Sequence, residues 1–286
     1  MSIIKNTMVV NLQIGVWMGY RLDKEASHEL TSDKGAEADA ARVNTHLVPK
    51  EALKPVVAAA SAVRNHFYAK TLPWKDNGDR LLTRLLYQPF MQEHGRLVDA
   101  FRDACDHFME HTYPAAQEQA AFRMGALFKP DAYPVAESLR RRFYVALDVD
   151  AVTEAGDFRV EMEKHTLDAL QAGMEQAMQT RIGRAMQDVW SRLNTTLGHF
   201  AQKMDSDGVF RDTTVRNLEE LVEILPAMNI MNDPDLERIR QDIKATIIGF
   251  EAKDLRKDAH VRNIAATEAK RIMDDMSGFM NAFGGG

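Results

Sequence analysis

Apolar residues recur every three or four positions along one stretch of the chain. They are Leu167, Leu170, Met174, Met178, Ile182, Met186, Val189, Leu193, Leu197, Phe200 and Met204. That spacing places them on one face of an α-helix. No proline interrupts the stretch from Lys164 to Met204. At about 1.5 Å per residue the rod is roughly 60 Å long, well beyond an ordinary globular helix. It must therefore pack along other helices, from this chain or from a second copy. From residue 167 to 204 ten steps cover 37 positions, a period near 3.7. A period above 3.6 is closer to an eleven-residue repeat than to a heptad. The pattern predicts a nearly straight helix in a bundle, not a long left-handed two-stranded coiled coil.

Period two appears near the start. Met8, Val10, Leu12, Ile14, Val16, Met18, Tyr20 and Leu22 alternate with mostly polar or glycine positions, Val9 and Trp17 excepted. This predicts one strand with a buried face, with Gly15 and Gly19 marking a bulge or bend. Residues 24–46 read as a weak helix or a loop. A helix is expected over 49–70, with Val56, Val57, Ala60, Val63 and Phe67 as its stripe. Leu72 to Gly78 reads as a turn. Further helices are expected over 87–112, 115–127 and 134–141. Phe143, Val145, Leu147 and Val149 predict a second strand, and Phe158, Val160 and Met162 a third. After the loop Asp205-Ser206-Asp207-Gly208, helix returns from Asp212 or Thr213 to Leu225. It starts again at Asn232-Asp233-Pro234, a cap followed by proline in the first turn. One or two helices then reach Phe279, with Ile239, Ile243, Ile247 and Phe250 on one stripe. Val261, Ile264, Ile272, Met276 and Met280 form another. The fold class is α+β, mainly α: a small antiparallel sheet with helices in residues 1–162, and a long-helix bundle in 163–283. Gly284 to Gly286 form a tail.

Composition narrows the function. The chain has 286 residues, a net charge of −6 and a single cysteine, Cys105. An acidic balance does not favour nucleic acid as the main partner, because neutralising phosphates needs clustered Lys and Arg. One cysteine allows no intrachain disulfide and no cysteine-based zinc site, which fits a reducing cytoplasm. The start MSIIKNTMVV leads into no long apolar run, so no signal peptide is expected. No stretch of 18 apolar residues exists, so no membrane partner is expected.

Four stretches carry a resemblance. They are Asn11 to Gly19 (NLQIGVWMG), Leu72-Pro73-Trp74, Leu127-Phe128 with Tyr133-Pro134, and Gly156-Asp157-Phe158-Arg159-Val160. Together they resemble an uncharacterised family of bacteriophages and bacteria, over most of the chain. Members of this type are often encoded beside a MoxR-type AAA+ ATPase and a protein with a von Willebrand factor A domain. The resemblance implies a set of working partners and transfers no catalytic residues.

Candidate chemistry is sparse. His107-Phe108-Met109-Glu110-His111 matches the H-x-x-E-H pattern of inverted zincins, where two histidines four apart on a helix hold zinc. Such a site needs a third ligand, and nothing marks Glu163 or Glu175 as that group. Surface histidines in a last helical turn, complementing its dipole, explain the pattern as well. Val145 to Asp150 mimics the strand and D-x-D of haloacid-dehalogenase-like phosphatases, with Asp148 and Asp150 as the carboxylates. That chemistry needs a parallel α/β sheet, which the helical remainder does not predict. Arg140, Arg141 and Arg142, with Arg123 and Lys129 nearby, form the clearest basic cluster and a candidate nucleic-acid patch, beside Tyr133, Phe143 and Tyr144. Gly-rich phosphate loops and nucleophile elbows are absent from the sequence. No cofactor is expected.

The sequence therefore predicts a non-enzymatic interaction or scaffold protein that forms a homo-oligomer through its long helices. It would act as adaptor or substrate of an AAA+ ATPase and von Willebrand A pair. An acidic loop at Asp205 and Asp207 is suited to complete the metal site of a von Willebrand A domain. A nucleic-acid-binding accessory of phage replication or recombination, acting through Arg140–Arg142, is the alternative. A metal hydrolase at His107 and His111 is a third reading.

Overall fold

A computed structural model describes residues 3–152, 164–205, 212–250 and 252–284. Its strands are β1 (Thr7–Gly15), β2 (Tyr20–Asp23), β3 (Val43–His46), β4 (Leu72–Pro73), β5 (Arg80–Thr83) and β6 (Tyr144–Ala151). Its helices begin with α1 (Ile3–Asn6), α2 (Lys24–Asp33), α3 (Lys54–Lys70), α4 (Arg84–His107), α5 (Tyr113–Glu118), α6 (Ala120–Met124) and α7 (Ala136–Arg140). They continue with α8 (Lys164–Asp205), α9 (Asp212–Met228), α10 (Pro234–Thr246), α11 (Ala252–Lys257) and α12 (Ala259–Gly284). The class is α+β, mainly α. One sheet has the order β4-β5-β1-β6, and β2 pairs with β3 in a second. Thr7 stands opposite Thr83 and Val10 opposite Arg80 in antiparallel register, and Leu72 stands opposite Leu81. Among the described residues no helix is long and apolar enough to cross a membrane.

The first period-two run is not one strand. β1 stops at Gly15, and β2 begins at Tyr20 in the other sheet. Trp17, 5% exposed, turns into the core, while Met18, Tyr20 and Leu22 are exposed. Gly19 makes the reversal at a φ of +71°, which L side chains rarely adopt. A Cβ there would lie 2.7 Å from Val48 and 2.8 Å from Leu53. The segment from Leu72 to Gly78 is part of a hairpin, with β4 and β5 flanking the turn. Strands of two and four residues are too short to announce themselves by alternation. The strand expected at Phe158, Val160 and Met162 lies outside the described residues.

Contacts gather the chain into two units. One comprises residues 12–69 and 90–147, the other residues 1–11, 70–89 and 148–286. This grouping interleaves segments that a division at residue 162 would keep contiguous.

The core of the first unit is built on α3, α4 and an aromatic cluster. Val56, Ala60, Val63 and Phe67 are buried at helical spacing, while Val57, expected on the same stripe, is exposed. Trp17 meets Tyr113 edge-on at 5.7 Å between ring centres and lies 6.2 Å from Phe108. After α4 the helix widens into a π turn over Phe108–Thr112. The wider turn lets two successive side chains, Phe108 and Met109, both enter the core.

The second unit is organised by α8. Its seam is buried from Ile182 to Met204. Before that, Leu167, Met174 and Met178 are half-buried and Leu170 is exposed. Along the buried half α8 packs chiefly on α12 and α9. The packing face of α12 is Ala265, Ala266, Ala269, Ile272 and Met276. Ile264, expected on that stripe, is exposed instead. Three alanines let the two helix backbones approach closely, so the small residues and not the isoleucine take the contact. Trp190 stacks on Phe279 at 5.9 Å, and its Nε1 donates to Asp233 Oδ2 at 3.3 Å. Asp233 caps α10 as expected, accepting from the backbone N–H of Asp235 at 2.9 Å. Helix α9 continues through Pro226 to Met228, slightly past the stop expected at Leu225. The β4–β5 hairpin is pinned through the fully buried Thr71. Its carbonyl accepts from Arg80 Nη2 and Arg192 Nη2, both at 2.8 Å.

Candidate interaction surface

The arginine cluster at the end of α7 is exposed on all three side chains. Arg140 donates to Asp106 at 2.7 Å, and Arg141 lies 3.6 Å from Glu137. Arg142 makes no ion pair among the described residues. The neighbouring cations are also engaged. Arg123 donates to the carbonyls of His46 at 2.6 Å and Leu47 at 2.8 Å. Lys129 hydrogen-bonds Glu25 and lies 3.8 Å from Asp23. Arg123 and Lys129 are thus engaged in contacts within the chain, while the three arginines stay exposed, two of them in surface ion pairs.

The two histidines are exposed and lie beside each other, ring centres 5.1 Å apart. His111 lies within the π turn and His107 immediately before it. Among the described residues no group of three His, Cys, Asp or Glu side chains is placed to hold a metal. Glu175 is exposed on α8, and Glu163 lies outside the described residues. A zincin site at His107 and His111 thus lacks its third ligand there. The phosphatase-like pair fails on topology. Asp148 and Asp150 sit within β6, next to β1 in a sheet whose β5–β1 and β4–β5 pairings are antiparallel, not in a parallel α/β sheet. Asp150 lines a cavity of about 460 Å³ with Trp74, Met174, Met178 and Arg181. The Arg181 guanidinium lies 5.7 Å from the centre of the Trp74 ring. Asp205, at the end of α8, pairs with Lys270 of α12. Asp207 lies outside the described residues.

Sequence reasoning drew no binding surface from the apolar residues of the segment from α6 to α7. That segment is short, holds two prolines in its sequence, and is bolted down at several points. Besides the Arg123 and Lys129 contacts, Tyr133 donates its hydroxyl to Leu47 O at 2.8 Å. Tyr113 donates to Pro134 O at 2.7 Å. Burial, reinforced by Tyr133, pushes the Tyr113 hydroxyl up to about 12, so it remains a donor at neutral pH. The backbone N–H of Ala26 holds Asp23 below the usual carboxylate range against its burial, and Lys129 and Thr45 assist. Asp23 is therefore a fixed anion against which Lys129 is held.

This anchored segment carries large apolar side chains into solvent. Phe122 is 98% exposed, Val135 71% and Leu127 52%. Fully burying a phenylalanine is worth about 1.5–3 kcal/mol, and Phe122 forgoes nearly all of it. Ala120, two residues earlier, is wholly buried. The helix therefore turns its small residue inward and its aromatic outward, the reverse of ordinary core patterning. The one sequence signal was the lone phenylalanine in an Ala/Gln-rich stretch, and it reads equally as a core anchor.

Compared with protein-family models, with curated proteins and with solved structures, the chain matches none of them.

Proposed function

We propose that this chain is an interaction protein that docks a protein partner through the anchored segment around Phe122. The observation that carries this reading is the 98% exposure of Phe122 on a segment held by Arg123, Lys129, Tyr113 and Tyr133. An aromatic held out on a rigid support pays little ordering entropy on binding, which is how interface anchors work. The sequence resemblance supplies the class of partner: a MoxR-type AAA+ ATPase and a von Willebrand A protein in a phage or bacterial cytoplasm. Self-association through the long helices belongs to the same reading. It is supported by Leu170, which is 39% exposed on the seam of α8.

The test is co-purification of the tagged full chain from its native cells, with and without nuclease, beside the Phe122→Ser variant. The expected result is nuclease-resistant recovery of an AAA+ ATPase and a von Willebrand A protein, lost with Phe122→Ser. Equal recovery by the variant would remove the docking surface. Recovery of replication proteins only without nuclease would transfer the reading to nucleic acid, with Arg142 as the first residue to change.

A further inference from the structure

The cavity of about 460 Å³ lies within one unit, between the β4–β5 hairpin, the end of β6 and α8. Its size falls in the range of small-molecule sites and is about three times that of a cavity that takes benzene. One turn of α8 supplies Met174, Ala177 and Met178 to its wall. Both methionines are half-buried there, whereas the seam from Ile182 onward is buried. Seam side chains that further along meet other helices here face the cavity. Its charges are of two kinds. Lys75 pairs with Asp79 at 3.0 Å, and Asn11 donates to the same carboxylate at 3.0 Å, so both of these charges are engaged. Asp150 and Arg181 also line the cavity, and neither has an ion pair or a side-chain hydrogen bond among the described residues. The Arg181 guanidinium lies over Trp74, which is 4% exposed. That contact uses the face of the guanidinium and leaves its N–H edge free. Asp150 stands two positions before the buried Val152, so strand alternation turns both to the same side.

We propose that this cavity binds a small zwitterion with an apolar body, the chemistry of a short apolar peptide with free ends or of an apolar amino acid. Arg181 takes the carboxylate in two parallel hydrogen bonds, and Asp150 takes the ammonium. One unengaged charge of each sign on the wall sets one charge of each sign on the ligand. A plain anion would be opposed by Asp150, and a plain cation by Arg181. Met174 and Met178 take the apolar body, since unbranched thioether side chains adapt their shape to a guest. The volume favours the peptide, because a single amino acid fills only part of it.

The test is isothermal titration calorimetry of the full chain with Leu-Leu and with leucine. Gly-Gly, N-acetyl-Leu-Leu and Leu-Leu amide are the controls. Leu-Leu is expected to bind more tightly than leucine, and the reverse order assigns the site to free amino acids. Removing either end charge from Leu-Leu is expected to weaken binding about tenfold or more, as loss of a charge-assisted pair does. Arg181→Gln is expected to weaken Leu-Leu by a similar factor and to leave the amide, which lacks the carboxylate, unaffected. Asp150→Asn is expected to weaken Leu-Leu likewise and to spare N-acetyl-Leu-Leu, which lacks the ammonium. This crossed pattern separates a ligand contact from a change in the fold, which would weaken every ligand alike. Absence of binding by both Leu-Leu and leucine overturns the proposal. So does Gly-Gly binding as tightly as Leu-Leu, and so does an equal loss for every ligand in both variants.

Discussion

His94 shows how one residue's surroundings set its chemistry. It is 5% exposed, stacks on Phe90 at 5.5 Å, and its Nδ1 has no partner. Burial, then the charge of His66 on the other face of Phe90, holds its pKa below the ordinary value. Glu93, next to it in sequence, is paired with Arg96 at 2.6 Å. The folded protein resists protonating His94, so the unfolded chain binds the extra proton. This stability is present above the ordinary histidine value of about 6.5 and is lost as pH falls towards the lowered folded value. Urea unfolding at pH 7.5 and 5 should show that loss, and His94→Gln should reduce it. An unchanged pH dependence in the variant would assign it elsewhere. Cys105 is governed by the same physics. Burial first, then Asp106, pushes its thiol up to about 11, so little thiolate exists near pH 8. Iodoacetamide should label it in denaturant and barely at all in the native protein. Gly15 is fixed by sterics. A Cβ there would run into the Tyr144 ring and lie 2.9 Å from the Arg142 carbonyl. Gly15→Ala should therefore destabilise by about 1–3 kcal/mol in chemical unfolding, the usual cost of overpacking.

At the scale of elements, α8 has a legible face with an uneven fate. Leu193 is wholly buried, while Leu170 on the same seam is 39% exposed. Leu193→Ala should cost about 2–5 kcal/mol, and Leu170→Ala much less, since only the first leaves a cavity. Equal losses in calorimetry would mean that the first half of the seam is also packed in solution. The helix spacing, the α3 stripe and the Asp233-Pro234 cap were all legible because each depends on local backbone geometry. The hairpin β4–β5 and the split between β1 and β2 were not. One depends on Thr71 accepting from Arg80 and Arg192, far apart in sequence, and the other on Trp17 finding Phe108 and Tyr113.

At the scale of the whole molecule, self-association is the open step of the proposed function. Sedimentation velocity on the full chain should show a species heavier than one copy. Leu170→Lys should shift it towards a single copy, because a charge on the seam opposes helix–helix burial. A single copy at all concentrations would remove the oligomer from the reading and leave the Phe122 surface untouched.

The sequence by itself determined the helical class, the length of α8, the cap of α10 and the acidic balance. All four follow from residue order and local sterics. It also marked the arginine cluster and the His107–His111 pair as chemistry to weigh. Only the tertiary structure shows what surrounds them, with Asp106 beside Arg140 and no third metal ligand beside the histidines among the described residues. It alone decided that Phe122 points outward, because Arg123 is held by His46 and Leu47 from more than seventy residues away. Periodicity records which residues share a face. What that face meets is fixed by contacts between segments distant in sequence, and the spacing within one segment cannot encode them.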